Sequence, residues 1–256
     1  MKLKSLTAAA ALIMLGACET SLQTTSGADY LARYAPSYTT TEQVTPEIDD
    51  QVRQIAAIEP NLIFPARIGL ARIECGRLTT LPEHDARAWQ EQVEKLGDTY
   101  GEFVPVSPLI AEMVSVPSNA GSNQAADVIA HIRRGAARQH LDYVLVYEVG
   151  ASRREKSNAL SLADLTIIGM FVLPTRTIDV EATASGLMLD VRTGYPYATL
   201  TTHADRSGLS RAVSERSTGL SYADRAKAKA VSKLAEEFGD AIDALAARAK
   251  PSEDQG

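Results

Sequence analysis

The sequence predicts an α/β (α+β) domain, in which a mixed sheet is flanked by helices and carries a long antiparallel hairpin and a C-terminal helix. Three observations predict it. Up to about residue 150, strand-like and helix-like patterns alternate along the chain. Residues 178–204 instead form two β-type stretches joined by a turn. Beyond them, apolar residues recur with helical spacing to the end of the domain.

The first 17 residues are predicted to be a signal peptide that is removed. Lys2 and Lys4 precede an apolar stretch, residues 6–15, that is too short to span a bilayer as a helix. The letters LGAC end this region and resemble the lipobox of bacterial lipoproteins. The resemblance implies that the sulfur of Cys18 carries a diacylglycerol and that Cys18 becomes the first residue of the mature chain. An ordinary signal peptide with an accidental cysteine is the alternative.

The predicted attachment is therefore a lipid anchor on a periplasmic protein. Each acyl CH₂ buried in the bilayer contributes about 0.8 kcal/mol, so two or three chains, palmitate among them, hold the protein firmly. Glu19 follows the cysteine, whereas an Asp at that position is the inner-membrane retention signal of enterobacterial lipoproteins. Its absence favours the periplasmic side of the outer membrane, with the inner membrane as the alternative.

Composition excludes one class of partner and limits the cysteine chemistry. Removing the signal peptide removes two of 26 basic residues and none of 32 acidic ones, so the mature chain carries 24 − 32, or −8. An acidic chain repels phosphate backbones, and a nucleic-acid partner is not expected. Cys75 would be the one remaining thiol, so we expect no intramolecular disulfide. We expect Cys75 to pack as a small apolar residue at a strand end.

Four regions follow from the patterning. Residues 1–17 are the signal peptide, and residues 18–62 comprise the lipidated cysteine, a Ser/Thr-rich extended tether and a short amphipathic helix opened by Pro46. Residues 63–250 form one globular domain, which is long enough to bury a sizeable core. Residues 251–256 are a polar tail.

Strands and helices alternate in the first half of the domain. Pro82 is placed to open a helix and Gly97 to end it. The almost wholly apolar run DYVLVYEV is typical of a central strand covered on both faces. The predicted elements are a strand at 67–73, a helix at 82–96, a strand at 102–106, a short helix at 108–113, a helix at 125–140 and a strand at 142–149.

The second half changes character. Residues 178–191 and 195–204 are predicted to pair as a hairpin, and a final helix is predicted at 222–248 with one apolar face. Within the first of these strands the apolar positions change parity at Gly186. A β-bulge at Gly186 would cause that change.

Two motifs carry a resemblance to a known family. One is the passage from helix to strand at residues 136–145, and the other is LDVRTG at residues 189–194. With the order of elements over residues 63–248, they resemble the periplasmic domain shared by the curli secretion lipoprotein CsgG, the N-terminal domain of TolB and related envelope lipoproteins. The second motif is similar to the D-x-x-T-G turn of that group, which implies that Asp190, Thr193 and Gly194 form the hairpin turn. The resemblance implies a binding or assembly module.

The uncharged run LTIIGMFVL, residues 165–173, leaves two interpretations open. It is too short for a helical span and does not alternate as a pore strand does. It is either core or an exposed apolar patch for self-association or partner docking. The residues of this candidate surface are Leu165, Ile167, Ile168, Met170, Phe171, Val172 and Leu173.

The sequence offers no catalytic or metal-binding motif. It lacks a G-x-S-x-G, a P-loop, an H-E-x-x-H and a pair of C-x-x-C motifs, and its four histidines lack the spacing of ligands. We expect no cofactor, no metal and no enzymatic activity. Asp190, the one carboxylate considered as a general acid, is better explained as a turn residue.

Local basic clusters on this acidic chain form a candidate patch for an anionic partner. Solvated helix and loop faces are the alternative explanation for them. The residues are Arg133, Arg134, Arg138, Arg153, Arg154 and Lys156.

These observations predict a non-enzymatic assembly, scaffold or regulatory module of the cell envelope, anchored to a membrane by its N-terminal lipid. We expect a protein partner in the envelope. The alternative is a subunit of an oligomeric secretion or export apparatus, in which the chain would form a homo-oligomer.

Overall fold

A seven-stranded mixed sheet organises the fold. The computed structural model describes residues 19–33, 50–115, 124–157, 176–210 and 215–249. In these residues, helices flank a sheet that combines parallel and antiparallel pairs, with a long helix at the C-terminal end. This confirms the predicted α+β class.

The strands are β1 Glu19–Leu22, β2 Ala66–Glu74, β3 Arg77–Thr79, β4 Gly101–Pro105, β5 Tyr143–Ser157, β6 Arg176–Asp190 and β7 Pro196–Ser210. The helices are α1 Gly27–Ala32, α2 Asp50–Ala56, α3 Glu83–Leu96, α4 Pro108–Met113, α5 Gln124–Arg138 and α6 Glu215–Ala249, with a 3₁₀ turn at Gly97–Thr99. The sheet order is β1-β7-β6-β5-β2-β3, and β4 also pairs with β2. β2 is parallel to β4 and β5, and the other pairs are antiparallel.

The sheet is covered on both faces, but unequally. Helices α3 and α6 cover one face, where the buried Trp89 of α3 contacts both Tyr147 of β5 and Phe238 of α6. On the other face α5 covers a smaller area, where Ile132 packs near Leu189. Because α5 covers only this part, the strands at the far end of that face carry polar residues.

The prediction of a β-bulge at Gly186 is wrong. Alternate residues of β6 from Val180 to Met188 all face α6, so the parity does not change. Leu189 and Val191 are apolar because α5 covers the opposite face there. The register irregularity lies between Met188 and Leu189, where the partner residues on β7 change from Ala198 to Pro196.

The N-terminal segment predicted as an extended tether begins with a strand. Residues Glu19 to Leu22 pair with β7, with Glu19 opposite Thr201 and Leu22 opposite Ala198. Helix α1 follows, and its first residue, Gly27, packs so closely against α2 that an added Cβ would lie 2.4 Å from the Ala56 carbonyl oxygen. A Ser/Thr-rich polar segment fits an edge strand as well as a linker, since threonine favours extended structure.

Cys75 is exposed, contrary to the prediction that it packs as an apolar residue. It forms a two-residue turn with Gly76 between β2 and the unpredicted strand β3. Their φ values of 49° and 71° are those of a type I′ hairpin, a turn that requires positive φ at both positions. Strand β3 has only three residues, too few to show an alternating pattern.

Strands β5, β6 and β7 extend as a three-stranded ribbon beyond the part of the sheet that α5 covers. We use "the ribbon" for residues 150–157 of β5, 176–183 of β6 and 203–210 of β7, which stay in register throughout. The sequence predicted that β5 ends at residue 149, because ASRREKS is polar enough to resemble a loop. The polar sequence of the ribbon fits its position, because no described helix covers one of its two faces.

Two predicted features, Cys18 and the candidate surface at residues 165–173, lie outside the described residues. Among the helices that the structure does describe, none has the length and apolar character needed to cross a membrane.

Candidate functional site

The start of β1 fixes where the predicted lipid leaves the domain. Glu19 lies opposite Thr201 of β7, and Cys18 is the preceding residue. A lipid on Cys18 would therefore be attached one residue, about 3.8 Å of backbone, before the start of the sheet. β7 continues from Thr201 to Ser210, and nine residues of strand span about 30 Å. The ribbon therefore lies beyond the Glu19 end of β1, and β1 runs away from it.

Polar contacts from several elements hold β1 and the residues after it. The hydroxyl of Thr20 donates a hydrogen bond to Glu237 of α6. The backbone N–H of Gln23 donates to the Tyr197 carbonyl at 2.8 Å, and the Arg248 guanidinium donates to the Leu22 carbonyl at 3.3 Å. These bonds dock β1 and the residues after it on both the sheet and the last helix.

Tyrosine hydroxyls hold the segment between α2 and β2 at the opposite end of the sheet from the ribbon. The hydroxyl of Tyr143 accepts a hydrogen bond from Ile63 N–H at 2.7 Å and donates to the Asn61 carbonyl at 2.9 Å. The hydroxyl of Tyr197 accepts from Asn61 N–H at 2.9 Å. Burial is the main cause that raises the pKa of Tyr143 and of Tyr197, so both hydroxyls stay protonated at neutral pH.

The hairpin turn between β6 and β7 is built around Asp190. One oxygen of its buried carboxylate accepts from the backbone N–H groups of Arg192 and Thr193, each at 2.8 Å. Gly194 has φ of 78°, in the left-handed region that favours glycine. The guanidinium of Arg133 donates to the carbonyls of Val191 at 3.1 Å and Arg192 at 2.8 Å. Asp190 and Arg133 thus stabilise the turn.

The six basic residues of the predicted anionic-partner patch fall into two separate places. Arg133 lies at the hairpin turn, Arg134 is half-buried, and Arg138 is exposed at the end of α5. Arg153, Arg154 and Lys156 instead occupy the ribbon. Ten residues of β5 separate Tyr143, opposite Asp190, from Arg153, a distance of about 33 Å. The structure therefore does not form one patch from the two clusters.

The sequence did not predict a buried charged network that lies between α3, the carboxyl-terminal part of β2 and the first half of β5. Asp85 of α3 is fully buried, and one of its oxygens lies 3.0 Å from Arg72 Nε and accepts from the Tyr147 hydroxyl at 2.9 Å. Arg72 also donates to Glu74 at 2.9 Å, and His84 Nε2 lies 3.0 Å from the other Asp85 oxygen. The signal available was Arg72, which lies between the apolar residues Ala71 and Ile73 of β2.

Electrostatics favour the charged form of Arg72 and the neutral form of Tyr147. Burial by itself would lower the pKa of Arg72, but the hydrogen bond to Glu74 and the charge of Asp85 raise it above its ordinary value. Burial and the negative charge of Asp85 raise the pKa of Tyr147. The network is sealed from solvent at Asp85 and at Arg72, which is 5% exposed, and it anchors α3 to the sheet.

An open cleft of about 500 Å³ lies at the base of the ribbon. Glu181 and Asp205, directly opposite each other, line it together with Asp179. Lys233 of α6 closes one side and donates to the His203 carbonyl at 2.8 Å. Within the described ranges, no three His, Cys, Asp or Glu side chains are grouped to hold a metal ion.

Comparisons with known proteins give only distant likenesses. No protein-family model matches the chain, and no curated protein does. A minor lipoprotein from Acinetobacter baumannii aligns at 11% identity and a TM-score of 0.34, over 73% of this chain and 97% of the other. The PelC dodecamer from Paraburkholderia phytofirmans aligns at 16% and 0.29, over 68% and 90%, and a putative lipoprotein from Caulobacter crescentus at 12% and 0.31, over 72% and 93%. Scores of this size support no conclusion about function.

Proposed function

We propose that the mature protein is a lipoprotein, anchored through Cys18 to the periplasmic side of the outer membrane, that acts as a non-enzymatic assembly, scaffold or regulatory module of the cell envelope. One observation carries the proposal: the chain enters the sheet at Glu19, one residue after the predicted lipid attachment. A domain without a tether is held directly at the membrane, where it meets envelope partners in a fixed orientation. The proposal places it with the CsgG and TolB N-terminal-domain group that the sequence resembles.

We also propose that the protein does not act as an enzyme. It is supported by the buried charged network, whose Asp85 and Arg72 are enclosed by packing, and by Asp190, whose carboxylate is used by the hairpin turn. A screen of generic esterase and peptidase substrates with the purified protein tests it, and turnover that is lost on Asp85→Asn would contradict it.

The anchor is tested in cells with the full-length chain and its Cys18→Ser variant. The parent is expected to incorporate labelled palmitate and to sediment with outer-membrane fractions in a density gradient. The variant is expected to lose the label and to become soluble in the periplasm. A variant that stays in the membrane fraction would contradict the proposal, and a parent in the inner-membrane fraction would contradict the location only.

The alternative function is a subunit of an oligomeric secretion or export apparatus. One observation favours it: among the described strands, β7 has no second partner after Thr201, so its edge is open to pairing with another copy. Light scattering on the mature chain with Cys18→Ser, beside a version that adds Phe171→Asp, separates the two functions. An oligomer that the added substitution converts to a folded monomer supports the alternative, and a monomeric parent contradicts it.

A further inference from the structure

The proposed lipid at Cys18 restricts where the ribbon can lie, so the inference that follows rests on the proposed function. Glu19 lies opposite Thr201, at the level where the ribbon begins, and the ribbon continues from there for about 30 Å. Because Cys18 is held at the bilayer surface, a strand ribbon of this length beyond it must either enter the bilayer or lie along its surface.

The ribbon does not have the composition of a structure that enters hydrocarbon. Successive residues of a strand belong to opposite faces of the sheet. On β5, Arg153 and Glu155 occupy one set of alternating positions, and Arg154 and Lys156 occupy the other. Charged residues are therefore present on both faces. Since each charge placed in a bilayer core is costly, the ribbon is expected to remain in the headgroup layer.

The charge of the ribbon changes along its length. At its base, Glu181 and Asp205 form a directly opposed acidic pair. The outer five rows of β5 and β6 instead contain four basic and two acidic residues, or 4 − 2 = +2, in a mature chain of −8. The basic residues of these rows are Arg153, Arg154, Lys156 and Arg176, and the acidic ones are Glu155 and Asp179. The end of the ribbon is thus a positive region of an acidic protein.

We infer that the outer end of the ribbon binds anionic lipid headgroups of the membrane that holds Cys18. Basic groups close to a bilayer are attracted to anionic headgroups, and the attraction weakens with salt. Two points of attachment, the acyl chains and the ribbon, orient the domain. The hairpin turn at Asp190 and helices α1 and α2 then lie at the end of the domain farthest from the ribbon contact, where envelope partners reach them.

Vesicle co-sedimentation tests this with the unacylated mature chain, residues 18–256 with Cys18→Ser. We expect it to bind vesicles of phosphatidylcholine mixed with phosphatidylglycerol, and to leave pure phosphatidylcholine vesicles unbound. High salt is expected to release it. The variant Arg153→Gln/Arg154→Gln/Lys156→Gln is expected to bind roughly tenfold to hundredfold more weakly. Thermal unfolding followed by circular dichroism checks that each variant is folded.

A matched control removes three charges at the opposite end of the domain. The variant Arg53→Gln/Arg138→Gln/Arg192→Gln is expected to bind as the parent does, because these residues lie away from the ribbon. Equal weakening by both triple variants would overturn the inference, since binding would then follow net charge alone. A folded ribbon variant that binds as tightly as the parent would also overturn it.

A fluorescent probe locates the contact independently of affinity. In a Cys75→Ser background, a polarity-sensitive label at Ser157→Cys is expected to shift to the blue with anionic vesicles, whereas a label at the exposed Ala137→Cys on α5 is not. Palmitate labelling of the full-length chain reports the anchor separately. Labelled Cys18 without a response at position 157 overturns this inference alone, and absence of labelling overturns the proposed function.

Discussion

At the scale of single residues, the hairpin turn shows how a few side chains specify a connection. Asp190 accepts two backbone N–H groups, and Gly194 supplies a backbone conformation that other residues reach only with strain. The letters of the turn were sufficient to place it from the sequence. The role of Arg133 was not predictable, because its carbonyl partners belong to another part of the chain.

Replacing Gly194 by alanine is expected to lower the free energy of unfolding by roughly 1–2 kcal/mol. Its φ of 78° is unfavourable for a residue with a Cβ, and the added atom would lie 2.8 Å from Arg133 Nη1. Urea denaturation measures the change. Gly150→Ala is the matched control, since nothing lies within 4 Å of its added Cβ. Equal effects of the two substitutions would contradict this reading of the turn.

Tyr100 gives the protein a sensitivity to alkaline pH. Its hydrogen bond to Asp243, with burial, raises the pKa of Tyr100 to about 12, whereas an unfolded tyrosine titrates near 10. Between these values the unfolded chain releases a proton that the folded chain retains, so the free energy of unfolding falls as pH rises from about 10 to about 12. Across this pH window, the melting temperature of Tyr100→Phe is expected to fall less steeply than that of the parent protein. Identical slopes would show that Tyr100 does not contribute.

At the scale of elements, most helices and strands followed from periodicity, and the exceptions have physical causes. Helices α3 and α6 carry clear apolar faces, and α4 has the predicted bounds, Pro108–Met113. The bulge expected at Gly186 was an error, because a single sequence does not show that α5 covers the second face at Leu189. Strand β1 was missed because polar edge strands and linkers share a composition.

The buried charged network is expected to control the docking of α3. Asp85→Ala leaves Arg72 buried without its carboxylate, which is expected to cost roughly 3–5 kcal/mol in the free energy of unfolding. Glu83→Ala removes an exposed pair with Arg87 in the same helix, and about 0–1 kcal/mol is expected. Denaturant unfolding compares them. If Asp85→Ala lowers the free energy of unfolding no more than Glu83→Ala does, the network does not anchor the helix.

The register of β1 can be tested by a disulfide. Ser21 lies opposite Thr199, so Ser21→Cys/Thr199→Cys in a Cys75→Ser background is expected to cross-link within one chain under mild oxidation. Non-reducing electrophoresis after proteolysis detects the bond. The pair Ser21→Cys/Leu200→Cys, shifted by one residue to the other face, is the control. Comparable cross-linking of both pairs would indicate a mobile tether in place of the strand.

At the scale of the whole molecule, the two ends of the sheet differ in charge, cover and distance from the N-terminus. The ribbon end is reached by the backbone that leads from Cys18, and the other end is closed by the hairpin turn and the tyrosine contacts with residues 61–63. The sequence predicted both basic clusters but not their separation, which depends on the register of β5 against β6.

The central claim is that Cys18 anchors a domain that begins at the next residue. Mass spectrometry of the N-terminal peptide, from protein purified out of membranes, tests it most directly. We expect a peptide that starts at Cys18 and carries a diacylglyceryl thioether and an N-acyl chain. A peptide that starts elsewhere, or an unmodified Cys18, would contradict the claim and the orientation derived from it.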